Sequence, residues 1–339
     1  MKLKRNENQN LYILEGIASL LVITIHIGYP GFVGIIINVL ARTAVPLFFI
    51  VSGYFLDDID EFATVRLNQK IRRIFKLSIS ATILYWCWGV ILHCVLLQES
   101  SMSIWLKNLV TTNNIFAFIV LNSVPGAGHL WFLFSLLYSY IFLKILYCSG
   151  KWKIINLFPA ILILTVLIPY AFVFYGRITG FKINLPISLF RNWLFVGLPF
   201  VSIGVIINRS IECVRQFRAS SYATISVVGM VLSLIERSIL KKNMDLYFGT
   251  IIAIVALFLF VCVEPGNKLS VLGYIGKKMS TKIYILHYIF VDILWVIISS
   301  TSSPESGMLR WFAPIVVTLL SILLACVLNY IENRRKGIS

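Results

Sequence analysis

The sequence predicts an all-α fold, a polytopic transmembrane helical bundle of about ten spans with both termini in the cytoplasm. Two observations predict it. Hydrophobic residues make up 59% of the 339 residues and charged residues only 13%, whereas a soluble domain is near half apolar and about a quarter charged. Apolar runs of roughly 18–22 residues also recur between short polar gaps, which is the pattern of membrane-spanning helices.

The apolar runs divide a single integral membrane domain, residues 1–339, into ten candidate spans. They cover residues 11–29, 33–56, 77–97, 129–148, 154–175, 190–207, 220–236, 246–263, 280–299 and 311–330. The second run is marginal because it contains Arg42 and Pro46. With the N-terminus inside, most of the 30 Lys and Arg residues fall in cytoplasmic segments, as the positive-inside rule requires.

Two segments between the spans are predicted to lie outside the bilayer core. The cytoplasmic loop 57–76 starts acidic and turns basic, and the helical spacing of apolar residues in its second half predicts an interfacial helix. The outer loop 98–128 contains an apolar run, 115–121, that is too short to span. That run predicts a re-entrant or interfacial piece.

The net charge of +16 does not indicate nucleic-acid binding, because the basic residues lie in loops between spans. There they set the topology and contact the headgroups of the lipid bilayer. The six cysteines form no CxxC pair and most lie in apolar runs, so the sequence predicts neither a disulfide framework nor a metal site. No feature indicates the oligomeric state.

The first span contains two ionisable residues, Glu15 and His26. Such residues are costly at membrane depth, so each is a candidate functional group. His26 suits proton transfer at neutral pH, although a hydrogen bond to a neighbouring helix also explains it. Eleven helical steps put the two side chains on one face but about 16 Å apart. Arg42 in the second span needs a partner, which Glu15 or Asp292 would supply.

The second run ends in the stretch AVPLFFIVSGY. Pro46 interrupts the backbone hydrogen-bond ladder, and the pair Ser52 and Gly53 permits close approach of another chain or a ligand. Ser52 and Tyr54 are therefore candidates for binding a donor molecule. A kinked packing helix is the alternative interpretation.

The stretch KIRRIFK, residues 70–76, places several cations at the inner membrane surface. Arginine and lysine pair well with phosphate oxygens, so Lys70, Arg72 and Arg73 are predicted to hold the phosphates of a cytoplasmic donor. Topological anchoring explains the same residues without a ligand.

Two later stretches contain the remaining candidates. GHLWFL begins a span with His129 and Trp131, and an aromatic belt at the membrane surface explains the tryptophan by itself. KIYILHYIFVDIL places His287 and Asp292 inside a span. Their offset of five residues puts them on different faces of the helix, so they are not expected to form one site.

Taken together, the stretches ASLLVITIH, AVPLFFIVSGY, RLNQKIRR, HLWFL and IYILH resemble the acyltransferase-3 family of bacterial integral membrane proteins. Their order and spacing match from about residue 11 to residue 290. The resemblance implies a fold of roughly ten helices in the cytoplasmic (inner) membrane. It also implies transfer of an acyl group, usually acetyl, from a cytoplasmic acyl-CoA to a hydroxyl of a cell-envelope glycan or similar acceptor. The chain is similar, too, to the membrane domain of membrane-bound serine racemases.

The resemblance also implies roles for individual residues. His26 matches the family's essential histidine, and Lys70 and Arg73 match its basic R-x-x-R motif with lysine in the first place. The family typically carries an arginine eleven residues before the histidine, and this sequence has Glu15 there. Either Arg42 substitutes as the cation, or the donor differs, or this member is not an acyltransferase.

The leading expectation is a membrane O-acyltransferase that uses acyl-CoA as co-substrate, a glycan as acceptor and no metal. The expected catalytic residues are His26, Glu15 and Arg42; the donor-binding residues are Lys70, Arg72, Arg73, Ser52 and Tyr54; and the substrate-binding residues are His129, Trp131 and His287. The alternative is a transporter or exporter of a saccharide or small solute, with Glu15 as the coupling group. A scaffold for an envelope synthase is a third hypothesis.

Overall fold

The computed structural model describes residues 8–56, 63–96, 102–181, 186–264, 266, 270–300, 305–335 and 337. Within these residues the secondary structure is helical and contains no strand, which confirms the predicted all-α class. The α-helices are α1 Gln9–His26, α2 Gly31–Ala41, α3 Ala44–Tyr54, α4 Ala63–Ile91, α5 Met102–Leu109, α6 Thr112–Leu121, α7 Trp131–Cys148, α8 Ile161–Thr179, α9 Leu198–Arg209, α10 Ile211–Val214, α11 Ala219–Leu240, α12 Phe248–Val263, α13 Val271–Lys278, α14 Ser280–Ser300 and α15 Glu305–Arg335.

Eight helical segments in the described part of the chain are long and apolar enough to cross a membrane. They are Gln9–His26, Gly31–Tyr54, Thr64–Cys94, Gly128–Cys148, Trp152–Thr179, Ala219–Leu240, Ser280–Ser300 and Gly307–Arg335. The predicted spans 190–207 and 246–263 correspond to two shorter apolar helices, Trp193–Arg209 and Phe248–Val263. By length and composition the chain is therefore a polytopic helical membrane protein.

The second span consists of two helices, α2 and α3, joined by a turn at Arg42 and Thr43. The hydroxyl of Thr43 donates to the carbonyl of Leu40 at 2.7 Å and closes this turn. Pro46 is the third residue of α3, in the first helical turn, where a proline is tolerated because the amides there lack intrahelical partners. The helical hydrogen-bond ladder of this span is therefore interrupted at Arg42 and Thr43, before Pro46, and not at Pro46 itself.

The basic segment differs from the predicted separate interfacial helix. Residues 63–76 form the first turns of α4, which runs without interruption from Ala63 to Ile91; residues 57–62 lie outside the described residues. The sequence has neither glycine nor proline between Ala63 and Trp88, so the two strongest helix breakers are absent there. The predicted interfacial helix and the span that follows it are therefore parts of one continuous helix.

The predicted outer loop contains two helices, α5 and α6, that meet at an angle of 48°. The hydroxyl of Thr111 accepts from the backbone amide of Asn114 and caps the start of α6. The two helices are long and apolar enough to cross a membrane only when taken together, as a broken span or a re-entrant loop. The predicted re-entrant piece, 115–121, forms the greater part of α6; residues 98–101 lie outside the described residues.

The chain divides into two compact units, and each draws on distant parts of the sequence. The first unit comprises Met1–Phe48, Cys213–Arg237 and Gly249–Ser339, as far as these are described. The second unit comprises Phe49–Glu212 and Ser238–Phe248.

In the first unit, α1 packs tightly against α13 through a pair of glycines. A Cβ atom on Gly16 would lie 2.2 Å from the carbonyl oxygen of Leu272, and one on Gly276 would lie 1.9 Å from that of Tyr12. Since these are backbone atoms, neither contact is relieved by a side-chain rotation. Small residues at helix crossings allow this approach in membrane proteins, and here they fix the position of α1.

The second unit contains a similar crossing between α3 and α9. A Cβ atom on Gly53 would lie 2.0 Å from the carbonyl oxygen of Val201, and one on Gly204 would lie 2.1 Å from that of Ile50. The segment that Gly53 approaches closely is α9 of the same chain, which agrees with the alternative interpretation of a packing helix; approach of another chain or a ligand stays a prediction.

Candidate functional site

His26 lies at the end of α1 and contacts two aromatic side chains of α14. Its ring centroid is 5.3 Å from that of His287, with an angle of 42° between the ring planes. The ring of Tyr288 meets it edge-on at 5.1 Å and 84°. All three side chains belong to the first unit, and they form what we call the histidine cluster: His26, His287 and Tyr288.

The local sequence explains why α1 ends at His26. Gly28 and Pro30 follow within four residues, and both favour termination of a helix. The amide of Ile27 still donates to the carbonyl of Ile23, so the last turn is complete when the chain leaves the helix. His26 is half-buried.

His287 is fully buried, with an exposed fraction of 0%. Its Nδ1 atom lies 3.0 Å from the carbonyl oxygen of Ile283, one turn earlier in α14. A carbonyl oxygen only accepts hydrogen bonds, so Nδ1 carries the proton of this contact. Such burial does not favour direct contact of His287 with a substrate, the role predicted from the sequence.

The other two expected catalytic residues also lie in the first unit. The side chain of Glu15 is buried, with 4% exposed, and the helical rise of about 16 Å separates it from His26 within α1. Arg42 donates from Nε and Nη2 to the amide oxygen of Asn38, at 3.3 and 3.2 Å. The pairing of Arg42 with Glu15 or Asp292 stays a prediction.

Several expected donor-binding residues gather at the end of α3 in the second unit. The ammonium group of Lys70 donates to the carbonyl of Phe55 at 2.5 Å, and the side-chain amide of Asn208 donates to that of Tyr54 at 2.9 Å. The hydroxyl of Tyr140 donates to the carbonyl of Ser52 at 3.4 Å. These bonds satisfy carbonyls that a helix end leaves without intrahelical partners, so they hold the end of α3 in place.

Arg72 and Arg73 follow Lys70 on α4, and both side chains are exposed. Two adjacent guanidinium groups offer up to ten N–H donors in planar forks, the geometry that phosphate oxygens fit. They are the expected donor-binding cations that remain open to a ligand.

The expected substrate-binding residues His129 and Trp131 are both buried, with 6% and 9% exposed. The ring of His129 meets that of Tyr85 edge-on at 4.1 Å. The guanidinium of Arg191 lies 5.6 Å from the ring centroid of Trp131, a distance typical of a cation–π contact. These contacts fit side chains packed inside the second unit.

An open groove in the first unit was not anticipated from the sequence. It has a volume of about 640 Å³ and is lined by Pro30, Gly307, Met308, Arg310, Trp311 and Phe312. Trp311 also contacts Tyr29, at 6.3 Å between ring centroids. The available signal was the cation between apolar residues in LRWF, at the start of the last span.

The histidine cluster therefore brings together His26 and His287, which the sequence singled out, and adds Tyr288, which it did not. Ser52, Tyr54 and Lys70 come together at the end of α3. Among the described residues, no group of three or more His, Cys, Asp or Glu side chains could hold a metal ion.

The comparison with protein families gives one match. A family model described as an acyltransferase domain, that of the acyltransferase-3 family, matches residues 8–330, nearly the whole chain. No curated protein and no solved structure matches the chain. The family match spans both compact units and agrees with the resemblance in the sequence stretches. The chain thus belongs to the acyltransferase-3 family and is a multi-pass membrane acyltransferase.

Proposed function

We propose that this protein is an O-acyltransferase of the bacterial cytoplasmic membrane. It moves an acyl group, acetyl in the simplest case, from cytoplasmic acyl-CoA to a hydroxyl of a cell-envelope glycan or related acceptor. The observation that carries the proposal is the placement of His26. The half-buried His26 lies at a helix end and contacts His287 and Tyr288, in a chain that an acyltransferase model matches from residue 8 to residue 330.

In the proposed reaction His26 acts as the general base. It takes the proton of the acceptor hydroxyl as the hydroxyl oxygen attacks the thioester carbonyl carbon. The new C–O ester bond forms, the C–S bond breaks, and the CoA thiolate leaves. The imidazolium returns the proton to the departing thiolate, so His26 ends the cycle neutral and the products are an ester and CoA thiol.

The donor is proposed to bind through the cations of α4. Arg72 and Arg73 are exposed, and guanidinium groups bind phosphate oxygens with charge-assisted, bidentate hydrogen bonds. Lys70 adds positive charge nearby while its ammonium group holds the carbonyl of Phe55. The nucleotide phosphates of CoA match this chemistry.

Replacement of His26 tests the proposed mechanism. His26→Gln keeps a polar side chain of similar size but removes the base, so we expect the transfer rate to fall about 10²- to 10⁴-fold. The assay uses inside-out membrane vesicles containing the full chain and radiolabelled acetyl-CoA. It measures released CoA thiol and label in the envelope glycan. Undiminished transfer by this variant would refute the mechanism.

His93 provides the matched control. It lies in the second unit, where its Nδ1 atom is 2.8 Å from the carbonyl oxygen of Gly89, and it has no place in the proposed reaction. We expect His93→Gln to retain the wild-type transfer rate. A comparable loss in both variants would point to general damage to the membrane domain instead of loss of a base.

Transport is the second candidate function, because Glu15 is buried in a membrane span. A carboxylate at that depth is a proton- or solute-coupling group by default. Glu15→Arg distinguishes the candidates: an acyltransferase should keep or gain acetyl transfer, whereas a carrier that uses the acid should lose solute movement. Glu15→Gln, of nearly equal size, controls for the larger side chain. If both variants fold but lose acetyl transfer, the expectation that an acyltransferase keeps its activity without the carboxylate of Glu15 would be wrong.

A further inference from the structure

The groove at the start of α15 lies beside the segment that follows His26. It is lined by Pro30, the residue that precedes α2, and by five residues from the first turns of α15. Trp311, one of the five, also contacts Tyr29. Pro30 comes four residues after His26, and four residues of extended chain reach at most about 14 Å. The groove is therefore close to the proposed base, and both belong to the first unit.

The lining of the groove is apolar apart from one cation. Met308, Trp311 and Phe312 are exposed, so large apolar side chains are left uncovered there. Arg310 is the one charged residue among the six that line the groove, and its side chain is exposed as well. The volume of about 640 Å³ is typical of sites that hold small organic molecules. An occupant that matches this lining combines an apolar part with an anionic group.

The position of the groove along the last span indicates where in a bilayer it would lie. The segment that is long and apolar enough to cross a membrane begins at Gly307, so Arg310 and Trp311 are at its start. Tryptophan rings at the ends of spans lie at the level of the lipid headgroups, and arginine side chains there reach the headgroup phosphates. The anion that a bilayer offers at this level is the phosphate of a lipid.

We propose that the groove is a binding site for a phosphate-bearing lipid, with the phosphate on the guanidinium of Arg310 and the hydrocarbon chain along Trp311 and Phe312. The planar fork of an arginine binds phosphate oxygens through charge-assisted, bidentate hydrogen bonds. A free saccharide fits this lining less well, because one charged side chain does not satisfy its many hydroxyls. A free phosphate would leave the apolar wall of the groove uncovered.

A lipid in this groove has its headgroup near His26. This step of the inference rests on the proposed acyl transfer: a hydroxyl attached to the lipid phosphate is held near the base and does not have to diffuse to it. Holding a reactant in place converts a bimolecular step into an effectively unimolecular one. The acceptor class that follows is a hydroxyl-bearing group esterified to a lipid phosphate.

Quenching of Trp311 fluorescence by brominated lipids tests the site without any assay of transfer. The full chain is held in dodecyl maltoside micelles, which contain no phosphate. It is titrated with dibrominated phosphatidic acid or with diacylglycerol that has the same brominated chains. The chain has eight tryptophans, so the Trp311 signal is the difference between each protein and the same protein carrying Trp311→Phe. We expect half-maximal quenching at a mole fraction about ten- to a hundredfold lower for phosphatidic acid, the effect of hydrogen bonds to a charged group.

Two variants and a soluble competitor identify what the phosphate binds. Arg310→Gln removes the cation, so the preference for phosphatidic acid should disappear. Lys107→Gln is the matched control, because Lys107 is an exposed cation of the predicted outer loop and belongs to the second unit; this variant should keep the preference. Glycerol 3-phosphate, which has a phosphate and no chains, should not displace brominated phosphatidic acid at equal concentration.

Four results would overturn the inference. Equal quenching by both lipids in the wild-type protein would mean ordinary contact of an apolar span with hydrocarbon. An unchanged preference in Arg310→Gln, or the same loss in Lys107→Gln, would mean that charge elsewhere attracts the lipid. Displacement by glycerol 3-phosphate would mean a site for free phosphate. All four are read from binding, so a wild-type protein that binds phosphatidic acid as expected but transfers no acetyl group would refute the proposed function alone.

Discussion

Three neighbouring cations of α4 differ in what they contact. Lys70 donates to the carbonyl of Phe55, just beyond the end of α3, where a positive side chain also complements the helix dipole. Arg72 and Arg73 are exposed. The sequence presents all three as one basic run, and only the folded chain shows which of them already has a structural contact.

The exposed arginines yield a prediction about the donor. Arg72→Gln combined with Arg73→Gln should raise the KM for acetyl-CoA about ten- to a hundredfold, the effect of losing charge-assisted hydrogen bonds to phosphate. The KM for S-acetyl-pantetheine, a thioester without phosphates, should not change. Steady-state kinetics with the two donors measure the difference.

Lys107 is the control for this prediction, since it is an exposed cation on α5 in the same unit. We expect Lys107→Gln to leave both donors unaffected. Equal increases in KM for acetyl-CoA and S-acetyl-pantetheine in the double variant would indicate that the arginines do not recognise phosphate.

Two residues of the histidine cluster can be recognised from the sequence, but the contact between them cannot. His26 and His287 are each recognisable as ionisable groups in apolar runs, and the family resemblance adds to that. Their contact is not readable from the sequence, because it depends on the packing of α1 against α14 and no local periodicity encodes it. Tyr288 was missed for the same reason.

At the scale of helices, α4 shows why the extent of an element is harder to predict than its type. The polar content of residues 63–76 suggested a segment separate from the span. The backbone hydrogen bonds of a helix do not depend on that change in side-chain polarity, and neither glycine nor proline occurs between Ala63 and Trp88 to end the helix. A helix therefore continues from the polar segment into the apolar one.

The crossing of α1 and α13 gives a prediction for an element. Gly16→Val places branched side-chain atoms against the carbonyl of Leu272, where even a Cβ atom would lie at 2.2 Å, so the two helices must separate. Overpacking typically costs about 1–3 kcal/mol. We expect a lower thermal unfolding midpoint in detergent and, because α1 carries His26, reduced acetyl transfer.

Gly307→Ala is the matched control, because nothing lies within 4 Å of a Cβ atom added at that position. Its unfolding midpoint should equal that of the wild type. An unchanged midpoint in Gly16→Val would mean that α1 and α13 do not pack as closely as the structure has them.

For the whole molecule, composition and run length are enough to predict a polytopic helical protein. Eight of the ten predicted spans correspond to helices of the described residues that are long and apolar enough to cross a membrane, and the other two correspond to the shorter apolar helices Trp193–Arg209 and Phe248–Val263. Composition and run length do not predict the two compact units, since each unit is assembled from separated stretches. Such an arrangement depends on contacts between distant helices.

The discontinuity of the first unit has a consequence for biogenesis. His26 and His287 are separated by about 260 residues, which a ribosome making 5–20 residues per second needs roughly 13 to 52 s to add. Throughout that interval α1 resides at the insertion machinery or in the lipid without α13 and α14. A nascent chain that stalls before α13 therefore presents Glu15 and His26 on a helix lacking these neighbours, a mark by which membrane proteases can distinguish unfinished copies from finished ones.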